Sequence, residues 1–433
     1  MLPPFFLGNR GRGPDMRTPS IFRIRMKASF PLLSFFLVAA TICATSAAQA
    51  QTFSVIHNFT GQQDGGVPTT GLGIDAAGNL YGNTSQGGTN CAPYGCGVVF
   101  KMANRGGNWL LTQLCSYCME GTEPSSRPAI APNGVLYFTT LYGGQHADGA
   151  LYQVRPPAQP PRSILSPWSY AVIFNFNRGG PGADPQGDLT FDQAGNIYGT
   201  TQVGGDNFNG VVYELMPFNG GWSETVLYAP SGGLGALQMN GGVAFDRAGN
   251  LYGEIVEGGQ NGAGAVFELS PSPSGWTAQT IYSFQGGTDG SSPVGGLLVD
   301  AAGNVYGATN TGGSGGGGTV FELTPSGGGW TFNLLYSLSG RTDSGPTDKL
   351  AMDPAGNLYG VTYSGGAHTF GSVFKLTPSG GSWIYTTLHD FTGTGFDGAF
   401  PRCGPTLDAS GNVYGTTSKA GSSNEGIVWQ ITP

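Results

Sequence analysis

The chain has 433 residues, a net charge of −8, 77 glycines, and only about a tenth of its residues charged. Six of its 18 basic residues lie between Arg10 and Lys27, so residues 51–433 carry 12 basic against 25 acidic side chains. That balance excludes nucleic acid and anionic membrane as partners, since both need clustered Lys and Arg. Regularly spaced Tyr and Phe exclude the disorder that so much glycine would otherwise indicate.

Residues 1–50 read as a secretion signal. Basic residues from Arg10 to Lys27 precede the apolar run Phe30 to Ala40 and the small-x-small pattern Ala48-Gln49-Ala50. The run is too short for a convincing membrane span, so a secreted or periplasmic protein without stable membrane insertion is expected. Met26-Lys27 opens a signal of ordinary length, which makes residues 1–25 the product of a start codon placed too early. An uncleaved N-terminal anchor is the alternative; lipidation is disfavoured because Cys43 lacks the usual small residues before it.

From residue 51 onward a phrase of the form Asp-x-Ala-Gly-Asn-aliphatic-Tyr-Gly recurs seven times, with its tyrosines at Tyr81, Tyr137, Tyr198, Tyr252, Tyr306, Tyr359 and Tyr414. Repeats of this length are supersecondary units that bury their faces against neighbours. The fifth copy shows the unit. Val294 to Val299 reads as a strand, Asp300 to Asn304 as a tight turn, and Val305 to Thr309 as the returning strand. Thr319 to Leu323 then alternates apolar and polar residues, and after the turn at Gly-Trp330 a fourth strand runs from Thr331 to Leu338. Four antiparallel strands per repeat make a propeller blade. The chain starts with a surplus fourth-type strand, Thr52 to Phe59, and ends on a third-type strand at Ile431. The expected fold is therefore all-β, a single seven-bladed β-propeller over residues 51–433 whose ring is closed by the N-terminal strand, leaving no open edge.

The Asp-x-Ala-Gly-Asn-x-Tyr-Gly core, the following Gly-Gly loop, the Val-Phe-Glu-Leu-(Thr/Ser)-Pro strand and the closing Gly-Trp resemble the GloVer (Gloeo/Verruco) tandem repeat of exported bacterial proteins. The resemblance covers nearly all of residues 51–433. Copy two departs from it, with Ala131 for Asp, Asn133-Gly134 inverted and Phe138 for Gly. It implies secretion and a propeller-like array, often with a C-terminal surface anchor, which is not expected here because the chain ends at Pro433. It implies no activity for any named residue.

Four groups of residues are candidates for chemistry. The repeated Asp75, Asp192, Asp246, Asp300, Asp353 and Asp408, with their Asn partners, read as turn stabilisers; one carboxylate per turn is too few for calcium. A second set, Asp64, Glu120, Asp289 and Asp397, precedes the first strands, with Asp343 displaced by one residue, and would form a broken acidic ring around the central opening. These acids either form Asp-Gly turns or bind a divalent cation such as calcium or a polyhydroxylated ligand. Departures from the repeat on the first strands, Asp188, Asn240, Lys349 and Cys403, belong near the axis, as does Glu254-Ile255 in copy four. They either line a wet channel or polarise a substrate. Lastly, Cys91, Cys96, Cys115 and Cys118 read as two disulfides in an oxidising compartment, with zinc-ribbon spacing as the alternative. No nucleophile elbow, phosphate loop or paired metal-binding histidines occur.

The expected function is a non-catalytic binding or scaffold module for extracellular glycan, polymer or protein, with ligand-binding residues Asp64, Glu120, Asp188, Asp289, Lys349 and Asp397. The alternative is a propeller-type enzyme, a sugar-lactone hydrolase or polysaccharide lyase, with one divalent metal on the axis.

Overall fold

The computed structural model describes residues 51–88, 96–115, 123–157, 167–178, 180, 182–205, 208–230, 238–340 and 343–433. They form seven antiparallel sheets of the expected kind, one per repeat. Blade one is built from Gly73–Ile74, Leu80–Thr84, Val98–Arg105 and Asn108–Cys115, in that order. Blade seven takes three strands from the chain end, Thr406–Leu407, Val413–Thr417 and Ile427–Thr432, and its outer strand from Thr52–Asn58. Thr52 pairs with Thr432 and Asn58 with Ile427, so the two ends of the described chain close the ring as the strand count requires.

In every copy but the second, which has Ala131, the repeat turn is held by one carboxylate. In copy five, Asp300 Oδ1 accepts from the Ala302 and Asn304 amides, and Oδ2 accepts from Asn304 Nδ2 at 2.8 Å and the Tyr306 hydroxyl at 3.3 Å. The acceptor positions of that carboxylate are thus spent inside the protein. Copies one, four, six and seven repeat the pattern.

The core lies between blades. Tyr306, Val320 and Leu335 of blade five pack on Leu350, Leu358 and Phe374 of blade six. The other face of blade five, through Phe321 and Leu323, packs on Tyr252, Val266 and Phe284 of blade four. Both faces of the third strand are therefore buried, rather than the single face expected from its alternation. Its polar third residue survives because it meets the repeat tyrosine: Glu322 accepts from the Tyr306 hydroxyl at 2.8 Å, whereas Lys101 and Lys375 stand over the Tyr81 and Tyr359 rings.

The Gly of each Tyr-Gly pair is a packing requirement. A Cβ on Gly307 would lie 2.6 Å from Phe321 Cζ, and the equivalent aromatics Phe100, Phe267, Phe374 and Trp429 stand against Gly82, Gly253, Gly360 and Gly415. Copy two replaces this glycine by Phe138, which instead stacks on Tyr152 with centroids 5.4 Å apart.

One strand differs from expectation in a way that shapes the axis. Of Val294 to Val299 only Leu298–Val299 is strand; a separate strand, Ser291–Pro293, precedes the segment, with Gly295 and Gly296 between the two at φ of 88° and 94°. These left-handed conformations suit glycine. They let the first strand fold inward against its neighbour: a Cβ on Gly295 would overlap the backbone of Asp348 in the next blade.

Candidate functional site

First strands line the axis, and their glycines decide how closely they meet. A Cβ on Gly242 would overlap the Asp188 carbonyl, and one on Gly404 the Lys349 carbonyl. Where a side chain replaces one of these glycines it has nowhere to go but into the centre. The position four residues before the repeat Asp is Gly71, Gly242, Gly296 and Gly404 in four copies and Arg127, Asp188 and Lys349 in copies two, three and six. Asp348 and Cys403 take the preceding position in copies six and seven.

These exceptions meet. Arg127 Nε lies 2.6 Å from Asp188 Oδ2, a close ion contact in which the N–H does not point squarely at the oxygen. Arg127 Nη2 reaches Asp348 Oδ2 at 3.2 Å, and Nη1 donates to Thr406 Oγ1 at 3.3 Å. Asp348 Oδ2 also accepts from the Gly404 amide at 2.8 Å. Four blades are thereby joined across the axis through one guanidinium, a group whose planar fork suits two carboxylates.

The electrostatics follow from burial. Desolvation raises the Asp348 carboxyl to about 6; Arg127 opposes the rise and Asp188 adds to it. Burial works against the Arg127 charge, but Asp188 and Asp348 outweigh it and its pKa rises. Burial lowers that of Lys349, helped by Arg127 and opposed by both carboxylates and Glu254. Burial and then Asp348 push the Cys403 thiol well above its usual value, and its Sγ donates to the Thr69 carbonyl at 2.9 Å. Such a thiol is a packing group, not a nucleophile.

A polar cup of about 240 Å³ opens on one side of this cluster. Hydroxyls and amides of Thr69, Thr70, Ser125, Gln186, Asn240 and Thr347 line it, with Arg127, Asp188, Asp348, Arg402 and Cys403. Asn240 Oδ1 accepts from Gln202 Nε2 at 2.6 Å, and Arg402 lies 5.4 Å from the centre of the Tyr363 ring. Thr70 Oγ1 and Thr347 Oγ1 have no hydrogen-bond partner in the protein.

Glu254 sits just behind the axis, 1 % exposed. Its Oε1 accepts from the Gly296 amide at 2.8 Å, while Oε2 has no partner. Burial pushes this carboxyl up to about 8, opposed by the Gly296 amide.

Of the residues singled out from sequence, Asp188, Asn240 and Cys403 line the polar cup, and Lys349 lies across the cluster from it. The acidic loop residues are differently employed. Asp64 accepts from His57 at 3.1 Å and from Thr60; Asp289 accepts from the Tyr282 hydroxyl and the Gln285 amide, both at 2.9 Å; Asp397 accepts from His389 at 3.1 Å and the Thr392 amide at 2.8 Å. Each ties its own loop to the strand before it, which is the turn-forming role. Glu120 lies outside the described residues, as do Cys91 and Cys118 and with them the pairing of the first-repeat cysteines; Cys96 and Cys115 are buried. Arg127 and Asp348 were missed by sequence reasoning. Register alone would have found both, since each stands where most copies carry glycine, serine or threonine.

The family model described as the Gloeobacter/Verrucomicrobia repeat matches residues 41–190, 162–298 and 238–433. No protein among the curated sequences matches the chain. Among solved structures, an extracellular domain assigned to a one-component system of B. thetaiotaomicron is similar at 12 % identity and a TM-score of 0.53, over 88 % of this chain and 40 % of that one. An oxidoreductase of Thermus thermophilus, described as a glucose dehydrogenase, is similar at 15 % identity and 0.45, over 88 % and 99 %. A gluconolactonase of Xanthomonas campestris is similar at 12 % and 0.42, over 72 % and 84 %. At these identities the likeness is one of fold.

Proposed function

The chain belongs to the Gloeobacter/Verrucomicrobia repeat family, and from the place where its repeat breaks we propose that it is an exported, non-catalytic binding module. Its axial polar cup takes the end of a polyhydroxylated ligand, a glycan terminus in an extracellular setting. The observation that carries the reading is the cup itself: at the same positions of successive repeats, hydroxyl, amide and charged side chains that differ from copy to copy converge on about 240 Å³. A concave site lined mainly by polar side chains favours a ligand that supplies hydrogen bonds. Arg402 on the wall of the cup adds a cation that can donate to ligand hydroxyls.

A divalent ion has no part in the proposal, because the donor set does not suit one. Both axial carboxylates are engaged by Arg127, and the described residues contain no group of three or more His, Cys, Asp and Glu able to hold a metal. Catalysis has no part either: the cup offers a buried, protonated Cys403 with no histidine among its lining residues.

A glycan array on the mature protein, followed by calorimetry on its best ligand, tests the proposal. Asn240→Ala and Arg402→Ala should each weaken binding about tenfold or more, and Asp64→Ala should leave it unchanged. Absence of any hit, or loss of binding only in the Asp64 variant, would overturn it.

A further inference from the structure

A second axial cavity, of about 510 Å³, opens on the far side of the charged cluster. Arg127 and Asp188 line both cavities, so they stand between them, whereas Lys349 lines only the second. Here the wall is apolar, formed by Ile74, Ile130, Phe191, Leu298, Met352 and Leu407 from the ends of the first strands. The axis is therefore not one wet channel but two cups of opposite character, divided by a salt-bridged partition.

The polar groups of the apolar cup are almost all committed. Thr190 donates to the Val243 carbonyl and Thr406 to the Leu72 carbonyl, each at 2.6 Å, and Arg127 is held by its two carboxylates. Lys349 is the exception. Its side chain is partly exposed, and among the described residues that side chain makes neither an ion pair within 4 Å nor a hydrogen bond. Its ammonium is left to solvent, so an occupant that displaces that solvent must bring an acceptor of its own.

Charge decides which acceptor. Arg127 and Lys349 balance Asp188 and Asp348, while Arg402 lies on the polar side and the buried Glu254, held protonated at pH 7, adds no charge. A carboxylate arriving at Lys349 would add a third negative charge beside two others, and an ammonium a third positive one. A neutral oxygen upsets neither. We propose that this cup binds a small apolar molecule by a single uncharged carbonyl oxygen, of ketone, ester or lactone type, accepting from Lys349 Nζ. The cavity volume and its mostly apolar wall with one free donor are those of a small-molecule site.

The test uses the mature chain and three probes of equal length, 2-octanone, octanoate and octylamine, followed by methyl NMR at pH 7. The ketone should bind most tightly and shift the methyls of Ile74, Ile130 and Met352, with octanoate weaker and octylamine weakest. Lys349→Met should weaken the ketone about tenfold, and Leu298→Trp should block all three probes while leaving glycan binding in the polar cup intact. The proposal is overturned if octanoate or octylamine binds as well as the ketone, if Lys349→Met, or Lys349→Gln should that variant alone fold, leaves ketone binding unchanged, or if the shifts fall on other methyls.

Discussion

Replacing Glu254 by Gln should stabilise this protein in a pH-dependent way. The side chain is fully buried, its Oε2 lacks a partner, and its carboxyl is raised from 4.5 to about 8. For an acid raised on folding the sign is fixed: between those two values the folded state holds a proton that the unfolded chain has lost, so stability falls as pH rises through the interval. Each pH unit above 4.5 costs roughly 1.4 kcal/mol, which gives about 3 kcal/mol at pH 7. Glutamine keeps the acceptor for the Gly296 amide and removes the titration. Its amide also has a precedent in the ring, since the equivalent Asn83 and Thr200 donate to the Ser126 and Gly241 carbonyls of the next blade. The assay is the denaturation midpoint of wild type and Glu254→Gln from pH 4.5 to 8.5. The two should coincide near pH 4.5 and separate steadily above it, the variant being more stable. Parallel curves across the range would refute the assignment of a protonated Glu254.

Arg127→Met should destabilise the ring by about 2–4 kcal/mol, because it strands two partly buried carboxylates; adding Asp188→Asn and Asp348→Asn should recover much of the loss in the same denaturation experiment. Phe321→Ala should cost about 3–5 kcal/mol, the large-to-small penalty for an aromatic fully buried between two blades, measured by thermal unfolding. Asp300→Ala should cost about 1–3 kcal/mol through its lost turn hydrogen bonds, yet leave calorimetric binding in the polar cup unchanged, which separates scaffold carboxylates from axial ones.

The ring was legible because its determinants are local and repeated. Asp300, Asn304 and Tyr306 lie within seven residues and hold the same turn in each intact copy, so spacing alone revealed the unit, the number of blades and the surplus strand from Thr52. The axial departures Asp188, Asn240, Lys349 and Cys403 were also legible, as breaks in that regularity. Their grouping was not. Whether Asp188 meets Arg127 or Lys349, and on which side of the partition each stands, depends on how seven first strands 53 to 61 residues apart converge. The glycine contacts that set this convergence, such as Gly295 against Asp348, join different blades.

Sequence by itself therefore determined the blade, the closure and the scaffold role of the repeated Asp, because each rests on hydrogen bonds and packing within one repeat or between identical neighbours. Only the tertiary structure showed that the acidic loop residues Asp64, Asp289 and Asp397 accept hydrogen bonds within their own loops, and that Arg127 stands between two axial cavities. Charges from four different blades meet there, and closure of the ring is what brings them within reach of one another.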